Sequence, residues 1–140
     1  MMDSKGWQLI IHYNGPNESE YSEEYNIYVP RRENLEPFNP IKYDNEFTNI
    51  EKRINQIVEK YDIVLIYGYG INSKEEFLDA KFWKGEVAIY YSGMKSKEMT
   101  NCSKEKFIKA IFDVLEKVKK QVKVYCLEET RLLNSRYSRK

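Results

Sequence analysis

The segment Ile63-Val64-Leu65-Ile66-Tyr67 decides the fold, and the turn-forming sequence Gly68-Tyr69-Gly70 follows it directly. Its five residues are apolar or aromatic without interruption and rich in β-branched side chains. This pattern is typical of a strand that is buried in the centre of a sheet. The other elements can then be placed by their order before and after this strand.

Two further strands are predicted on the N-terminal side. Trp7 to Tyr13 and Tyr25 to Val29 each present alternating sets of residues to two faces, as half-buried strands do. Turn-forming residues and the acidic stretch from Glu18 to Glu24 predict a wide hairpin loop between them. Pro30 to Asn45 contains three prolines, so an irregular connection is expected there.

Three helices are predicted from capping signals and helical periodicity. The first begins at Thr48 and the second, a short helix, spans Ser73 to Ala80. Each starts with a hydroxyl residue that is followed three positions later by a glutamate, which is the spacing of a capping box. The longest helix is expected from Ser103 to Gln121, where apolar residues recur on one face and lysines lie mostly on the other.

The remaining strands are expected at Glu86 to Tyr91 and, at the end of the sheet, Val122 to Cys126. The predicted order is therefore ββαβ(α)βαβ, and without its first strand this is the order of ferredoxin-like folds. We predict an α+β protein with a mostly antiparallel five-stranded sheet and two main helices on one face. Residues 1–129 form a single domain in this prediction, and residues 130–140 form a basic C-terminal tail.

Charge is sorted along the chain. Residues 1–30 contain one cation and five acids, whereas residues 101–140 contain eleven Lys or Arg and five acids, within a formal net charge of +1. Such separation favours recognition and electrostatic steering of a partner. The longest apolar run is too short to span a membrane and the N-terminal residues do not resemble a signal peptide, so we expect a cytoplasmic protein without a membrane partner.

Residue types suited to catalysis or metal binding are few. His12 is the only histidine, and Cys102 and Cys126 lack the paired spacing of a zinc site. Adjacent carboxylates such as Glu75 and Glu76 diverge on a strand or a helix and do not form a general acid and base pair. We therefore expect free thiols, no catalytic residues, no metal, no cofactor and no enzymatic activity.

Two groups of residues are candidates for binding. The turn after the central strand leads to a predicted helix start, where backbone N–H groups favour an anion, and an aromatic pair follows it. This candidate ligand site comprises Gly68, Tyr69, Gly70, Ser73, Phe82 and Trp83. Aromatic residues followed by basic residues, together with helix lysines, suit nucleic acid and a protein hot spot equally well. The candidate partner-binding residues are Arg31, Arg32, Tyr67, Tyr90, Tyr91, Lys95, Lys97, Lys117, Lys120 and Lys123.

The function favoured by these patterns is a non-enzymatic binding protein that occludes or sequesters a partner, of the immunity, antitoxin or anti-defence type. Lys outnumbers Arg, and Ile, Asn and Tyr are abundant, which is typical of AT-rich coding sequence and favours a bacterial or phage origin. The alternative is a nucleotide or nucleic-acid binding module that uses sheet tyrosines and the basic C-terminal third. An overall charge near zero counts against nonspecific DNA binding.

Overall fold

Six strands and two helices make up the part of the chain that the structure, a computed structural model, describes: residues 6–15, 19–28, 40–73, 75–84, 86–92, 95–97 and 102–138. In chain order they are β1 (Gly6–Asn14), β2 (Tyr21–Tyr28), α1 (Pro40–Lys60), β3 (Ile63–Gly70), β4 (Glu76–Trp83), β5 (Glu86–Ser92), β6 (Lys95–Lys97) and α2 (Lys104–Ser138). Strands β2 and β3 are longer than predicted, because β2 begins within the acidic stretch and β3 continues through Gly68 to Gly70.

The strands form one sheet in the order β2-β1-β3-β4-β5-β6, and all neighbours are antiparallel. The predicted α+β class with an antiparallel sheet and two main helices is confirmed. Because β2 and β3 each lie antiparallel to β1, which separates them, β2, α1 and β3 form a split β-α-β unit. A unit of this kind also occurs in ferredoxin-like folds.

Both helices cover the same face of the sheet. Tyr13 of β1 and Phe82 of β4 are each paired in register with Val64 of β3, so their side chains point to one face. Arg53 of α1 donates a hydrogen bond to the Tyr13 hydroxyl at 3.2 Å, and the Phe107 ring of α2 lies 5.3 Å from that of Phe82. The hydrophobic core therefore lies between this face and the two helices.

Helix α1 begins at Pro40, earlier than predicted. Proline suits the first position of a helix because its missing N–H would have no partner there. Tyr43 and Phe47 are buried and extend the apolar stripe of the helix towards its N-terminus. The predicted capping box at Thr48 is wrong, because the Thr48 hydroxyl lies inside the helix and donates to the Asp44 carbonyl oxygen at 2.8 Å. Part of the irregular connection predicted before Thr48 is therefore helical, and residues 29–39 lie outside the described residues.

The short helix predicted from Ser73 to Ala80 is wrong, because most of this stretch belongs to strand β4. Leu78, Ala80 and Phe82 are fully buried and alternate with partly exposed residues, which is strand periodicity. Pairing with β3 and β5 overrides the local capping-box signal of Ser73 and Glu76. The Ser73 hydroxyl does not cap a helix but accepts a hydrogen bond from the Glu75 N–H within the turn, at 3.3 Å.

The last strand predicted from Val122 to Cys126 is also wrong, because α2 is a continuous helix of 35 residues. Val122 and Cys126 are buried, whereas Val124 between them is 53% exposed, which is helical and not strand spacing. Residues 130–138, set apart as a tail in the prediction, continue the same helix. Among the described residues, neither helix combines the length and the apolarity that crossing a membrane requires.

Candidate binding surfaces

The structure separates the two parts of the predicted ligand site. Gly68, Tyr69 and Gly70 form the end of β3, whereas Trp83 is paired with Ile63 at its start. The seven residue-to-residue steps from Ile63 to Gly70 separate these two ends by about 23 Å of extended chain. Phe82 is fully buried in the core. Because the turn after Gly70 leads into a strand, the helix N-terminus that would have favoured an anion is absent from this turn.

A groove of about 800 Å³ lies at the Gly70 end of the sheet, between the start of β1, the turn from β3 to β4 and the second half of α2. Gly70 and Ser73 are the predicted ligand-binding residues that line it. The aromatic and charged residues of its walls are Trp7, Phe77, Tyr125, Glu75, Glu76, Lys120 and Glu128. We refer to this cavity as the α2 groove.

Two aromatic rings form a corner of the α2 groove. The ring centroids of Trp7 and Tyr125 are 6.0 Å apart and their planes are inclined by 49°. Tyr125 is 41% exposed, so part of its ring remains accessible from the groove. Neither residue is among the sites predicted from the sequence, because Tyr125 falls in the predicted last strand and Trp7 comes from the opposite end of the chain.

The second face of the sheet, opposite the helices, has no helix packed on it in the described ranges. Its side chains align across β1, β3 and β4 in three rows. All of them retain partial exposure. We call this surface the open face and define it by Gln8, Ile10, His12, Leu65, Tyr67, Tyr69, Glu76, Asp79 and Lys81. The arrangement leaves apolar and aromatic side chains in the centre of a surface that a partner can reach.

Aromatic rings occupy the middle of the open face. The rings of Tyr67 and Tyr69 are nearly parallel, inclined by 14°, with centroids 6.3 Å apart. The His12 ring meets Tyr67 edge-on at 5.9 Å. Strand alternation explains the alignment, because Tyr67 and Tyr69 are two residues apart and His12 lies diagonally across on β1. The predicted partner-binding role of Tyr67 is therefore compatible with its position.

Carboxylates lie beside these rings. Burial raises the pKa of Asp79, and burial together with the charge of Asp79 raises the pKa of Glu76. Burial first, and then the neighbouring carboxylates, raise the pKa of Tyr67 and of Tyr69. The region around the two tyrosines is therefore electronegative, which favours a cation and disfavours a phosphate.

The opposite end of β4 has a different chemistry. Trp83 is 42% exposed, and the amino groups of Lys81 and Lys84 lie 5.6 Å and 5.9 Å from the centroid of its ring. An exposed ring flanked by two cations suits stacking with a base combined with a phosphate contact. This basic corner and the α2 groove lie at opposite ends of the sheet.

The other predicted partner-binding residues are spread over several surfaces. Tyr90 is buried, and its hydroxyl donates to the Ala110 carbonyl oxygen at 3.2 Å, so it packs β5 against α2. Tyr91 lies in β5, and Lys95 and Lys97 lie in β6, with side chains outside the described residues. Arg31 and Arg32 also lie outside the described residues.

The three predicted lysines of α2 differ in their surroundings. Lys117 is exposed and Lys120 lines the α2 groove. The Lys123 amino group lies 2.6 Å from the Asp44 carboxylate of α1, so this cation joins the two helices. The structure therefore does not gather these lysines into a single patch with the tyrosines of the open face.

In the described part of the chain, no three His, Cys, Asp or Glu side chains are close enough together to hold a metal ion. The Cys102 and Cys126 thiols are buried and are not joined in a disulfide. In comparisons with known proteins, the chain matches no family model, no curated protein and no solved structure.

Proposed function

We propose that this protein is a non-enzymatic binding protein that occludes or sequesters a protein partner, and that the open face is its contact surface. The observation that supports this proposal is the group of partly exposed aromatic and aliphatic side chains at the centre of the open face. These are Ile10, Leu65, Tyr67 and Tyr69. Tyrosine and apolar groups surrounded by polar residues are the composition of a protein interface and its hot spots. Immunity, antitoxin and anti-defence proteins are the classes that this mode of action suits.

The charge of the open face favours a basic protein partner. Glu76 and Asp79 are partly desolvated beside Tyr67, which raises the pKa of both carboxyls. A lysine or arginine of the partner would stabilise their ionised forms, whereas a phosphate would be repelled. The same electrostatics disfavour nucleic acid around Tyr67 and Tyr69.

The test compares variants of one exposed surface with those of another. Protein from cells of the native host is captured on wild-type protein, Tyr67→Ala and Lys117→Ala, the last of which is exposed on α2. A basic partner should be retained by wild type and Lys117→Ala, and its affinity for Tyr67→Ala should fall at least about tenfold. Equal affinity of Tyr67→Ala for the purified partner would overturn the proposal, as would the absence of any partner that wild-type protein retains.

A second candidate function, nucleotide or nucleic-acid binding, is favoured by the basic corner at Trp83. In a Trp7→Phe protein, Trp83 is the only fluorescent tryptophan. This candidate predicts saturable quenching by adenosine triphosphate or oligothymidylate that is weakened in Lys81→Ala and in Lys84→Ala. An emission spectrum that none of these probes changes would eliminate it.

A further inference from the structure

We infer that the α2 groove is a second contact site, which takes an arginine side chain and its flanking residues from a basic protein segment. This inference deepens the proposed function, on which it rests, by naming the chemistry of the partner at a defined site. Its volume of about 800 Å³ is within the range of ligand-binding clefts and exceeds what one side chain fills. A short peptide segment is therefore the occupant that the groove suits.

The aromatic corner suits a guanidinium group. Trp7 and Tyr125 present rings inclined by 49° at one side of the groove, and the Phe77 ring contributes to the wall. A guanidinium group is planar, weakly hydrated and stacks on aromatic faces, where the ring quadrupole attracts it. A ring corner of this kind stabilises an arginine side chain more than a neutral side chain of the same shape.

The charged residues of the groove also favour a guanidinium group. Among the described residues that line it, three are glutamates, Glu75, Glu76 and Glu128, and one is a cation, Lys120. Burial, first, and the nearby charge of Asp79 raise the pKa of Glu76. A guanidinium that enters the groove would bring a positive charge to these carboxylates and could bond one of them through two N–H groups.

The backbone of the turn that carries Glu75 is fixed by hydrogen bonds. The Gly70 N–H donates to the Glu75 carbonyl oxygen and the Ile71 N–H to that of Gly6, both at 2.9 Å. The Ser73 hydroxyl accepts from the Glu75 N–H at 3.3 Å. The turn is therefore tied to β1 and to itself before any partner binds, which reduces the entropy lost on binding. Glu76 belongs to both the groove and the open face, so one partner can contact both.

The direct test uses Trp7 as the reporter. In a Trp83→Phe protein, Trp7 is the only tryptophan, and it lies in the groove. The probe is the peptide acetyl-Gly-Arg-Leu-Arg-Leu-Arg-Gly-amide, and its matched control has citrulline, the neutral isostere, at the three arginines. We expect a saturable change in Trp7 emission with the arginine peptide and at least about tenfold weaker binding of the citrulline peptide. Equal binding of the two peptides, or no binding of either, would overturn the inference.

Three substitutions in the groove distinguish a cation-binding site from an anion-binding site. Tyr125→Phe keeps the ring and should leave the affinity for the arginine peptide nearly unchanged, whereas Tyr125→Leu should weaken it several-fold. Lys120→Met removes a positive charge that repels the arginines of the peptide, so it should strengthen the binding of the arginine peptide. Weaker binding by Lys120→Met would show an anion site and overturn the inference. Circular dichroism and urea unfolding verify that each variant is folded.

The two proposals can fail separately. If peptide binding in the groove fails while partner capture still depends on Tyr67, only the inference about the groove is overturned. If peptide binding follows the expected pattern while capture is indifferent to Tyr67→Ala, the role of the open face is overturned.

Discussion

At the scale of single residues, the Glu23 carboxylate joins the edge strand β2 to α1. The Arg53 guanidinium donates to both of its oxygens, at 2.6 to 3.0 Å. The Tyr25 hydroxyl donates to it at 2.7 Å, and the Tyr13 hydroxyl donates to it as well. These bonds, above all those from Arg53, lower the pKa of Glu23 to about 2, while burial and Glu23 raise the pKa of Tyr25 to about 12. Sequence patterns missed this cluster because its members lie on three separate elements.

Replacing Glu23 with Gln should lower the free energy of unfolding by about 1–2 kcal/mol at neutral pH, because a charge-assisted network is lost. The pKa of Glu23 is lowered on folding from 4.5 to about 2. The stabilisation that the ionised Glu23 carboxylate contributes is therefore fully present above pH 4.5 and is lost as the pH falls towards 2. Urea unfolding of wild type and Glu23→Gln should show a difference that shrinks across this window. Glu59→Gln, an exposed control on α1, should change stability by less than about 0.5 kcal/mol.

Position 68 has no room for a side chain, so it requires glycine. A Cβ atom at this position would fall on the Phe77 ring, which packs over the glycine at the β-bulge between β3 and β4. Gly68→Ala should therefore lower the free energy of unfolding by about 1–3 kcal/mol, as overpacking does. Denaturant unfolding of Gly68→Ala, Phe77→Leu and the double variant measures this effect. The double variant should be more stable than the sum of the two single effects implies, and strict additivity would contradict the proposed clash.

At the scale of elements, α2 shows how periodicity outweighs β-propensity. The segment from Val122 to Cys126 is rich in residues that favour strands, yet its buried positions follow the spacing set earlier in the helix by Val118. Each turn that continues an existing helix gains hydrogen bonds without a new nucleation cost. The start of α2, in contrast, was predicted correctly from Ser103, whose hydroxyl accepts from the Lys106 N–H at 3.3 Å.

Two valines distinguish the helix from the predicted strand. In a strand Val122 and Val124 would share a face, but in α2 only Val122 is buried. Val122→Ala should lower the free energy of unfolding by about 2 kcal/mol, because it leaves a cavity in the core. Val124→Ala should change it by less than about 0.5 kcal/mol. Equal losses in urea unfolding experiments would contradict the helical assignment.

At the scale of the whole molecule, part of the basic charge of residues 101–140 is paired within the fold. The Lys123 amino group bonds the Asp44 carboxylate across the helix pair, and the pKa of Asp44 is lowered mainly for this reason. Lys119 lies 2.9 Å from Glu116 on α2 itself. Two lysines of the basic C-terminal third therefore have structural roles. Lys123 stabilises the contact between α1 and α2, and Lys119 stabilises α2 itself.

Charge reversal should separate these roles. Lys123→Glu places a second carboxylate beside Asp44 and should lower the midpoint of thermal unfolding, with a smaller effect at high salt. Lys117→Glu, at an exposed position, should leave the midpoint nearly unchanged. Differential scanning calorimetry at low and high salt measures both. An equal response of the two variants would show that the ion pair between Lys123 and Asp44 contributes nothing to stability.

The sequence by itself determined the elements whose local signals agree. Three features were sufficient for the α+β class: the uninterrupted apolar and aromatic run at Ile63 to Tyr67, the alternation at Trp7 to Tyr13 and the capped start of α2. These features succeed because periodicity, composition and end signals all favour the same structure in each case.

Only the tertiary structure decided the conformation of residues 76–83 and the formation of the α2 groove. The capping-box spacing of Ser73 and Glu76 predicted a helix from Ser73 to Ala80, but pairing with strands on both sides makes residues 76–83 a strand. The α2 groove needed Trp7 and Tyr125, from opposite ends of the chain, to meet at 6.0 Å. Local preferences amount to a fraction of a kcal/mol per residue, so long-range pairing and burial overrule them wherever they are nearly balanced.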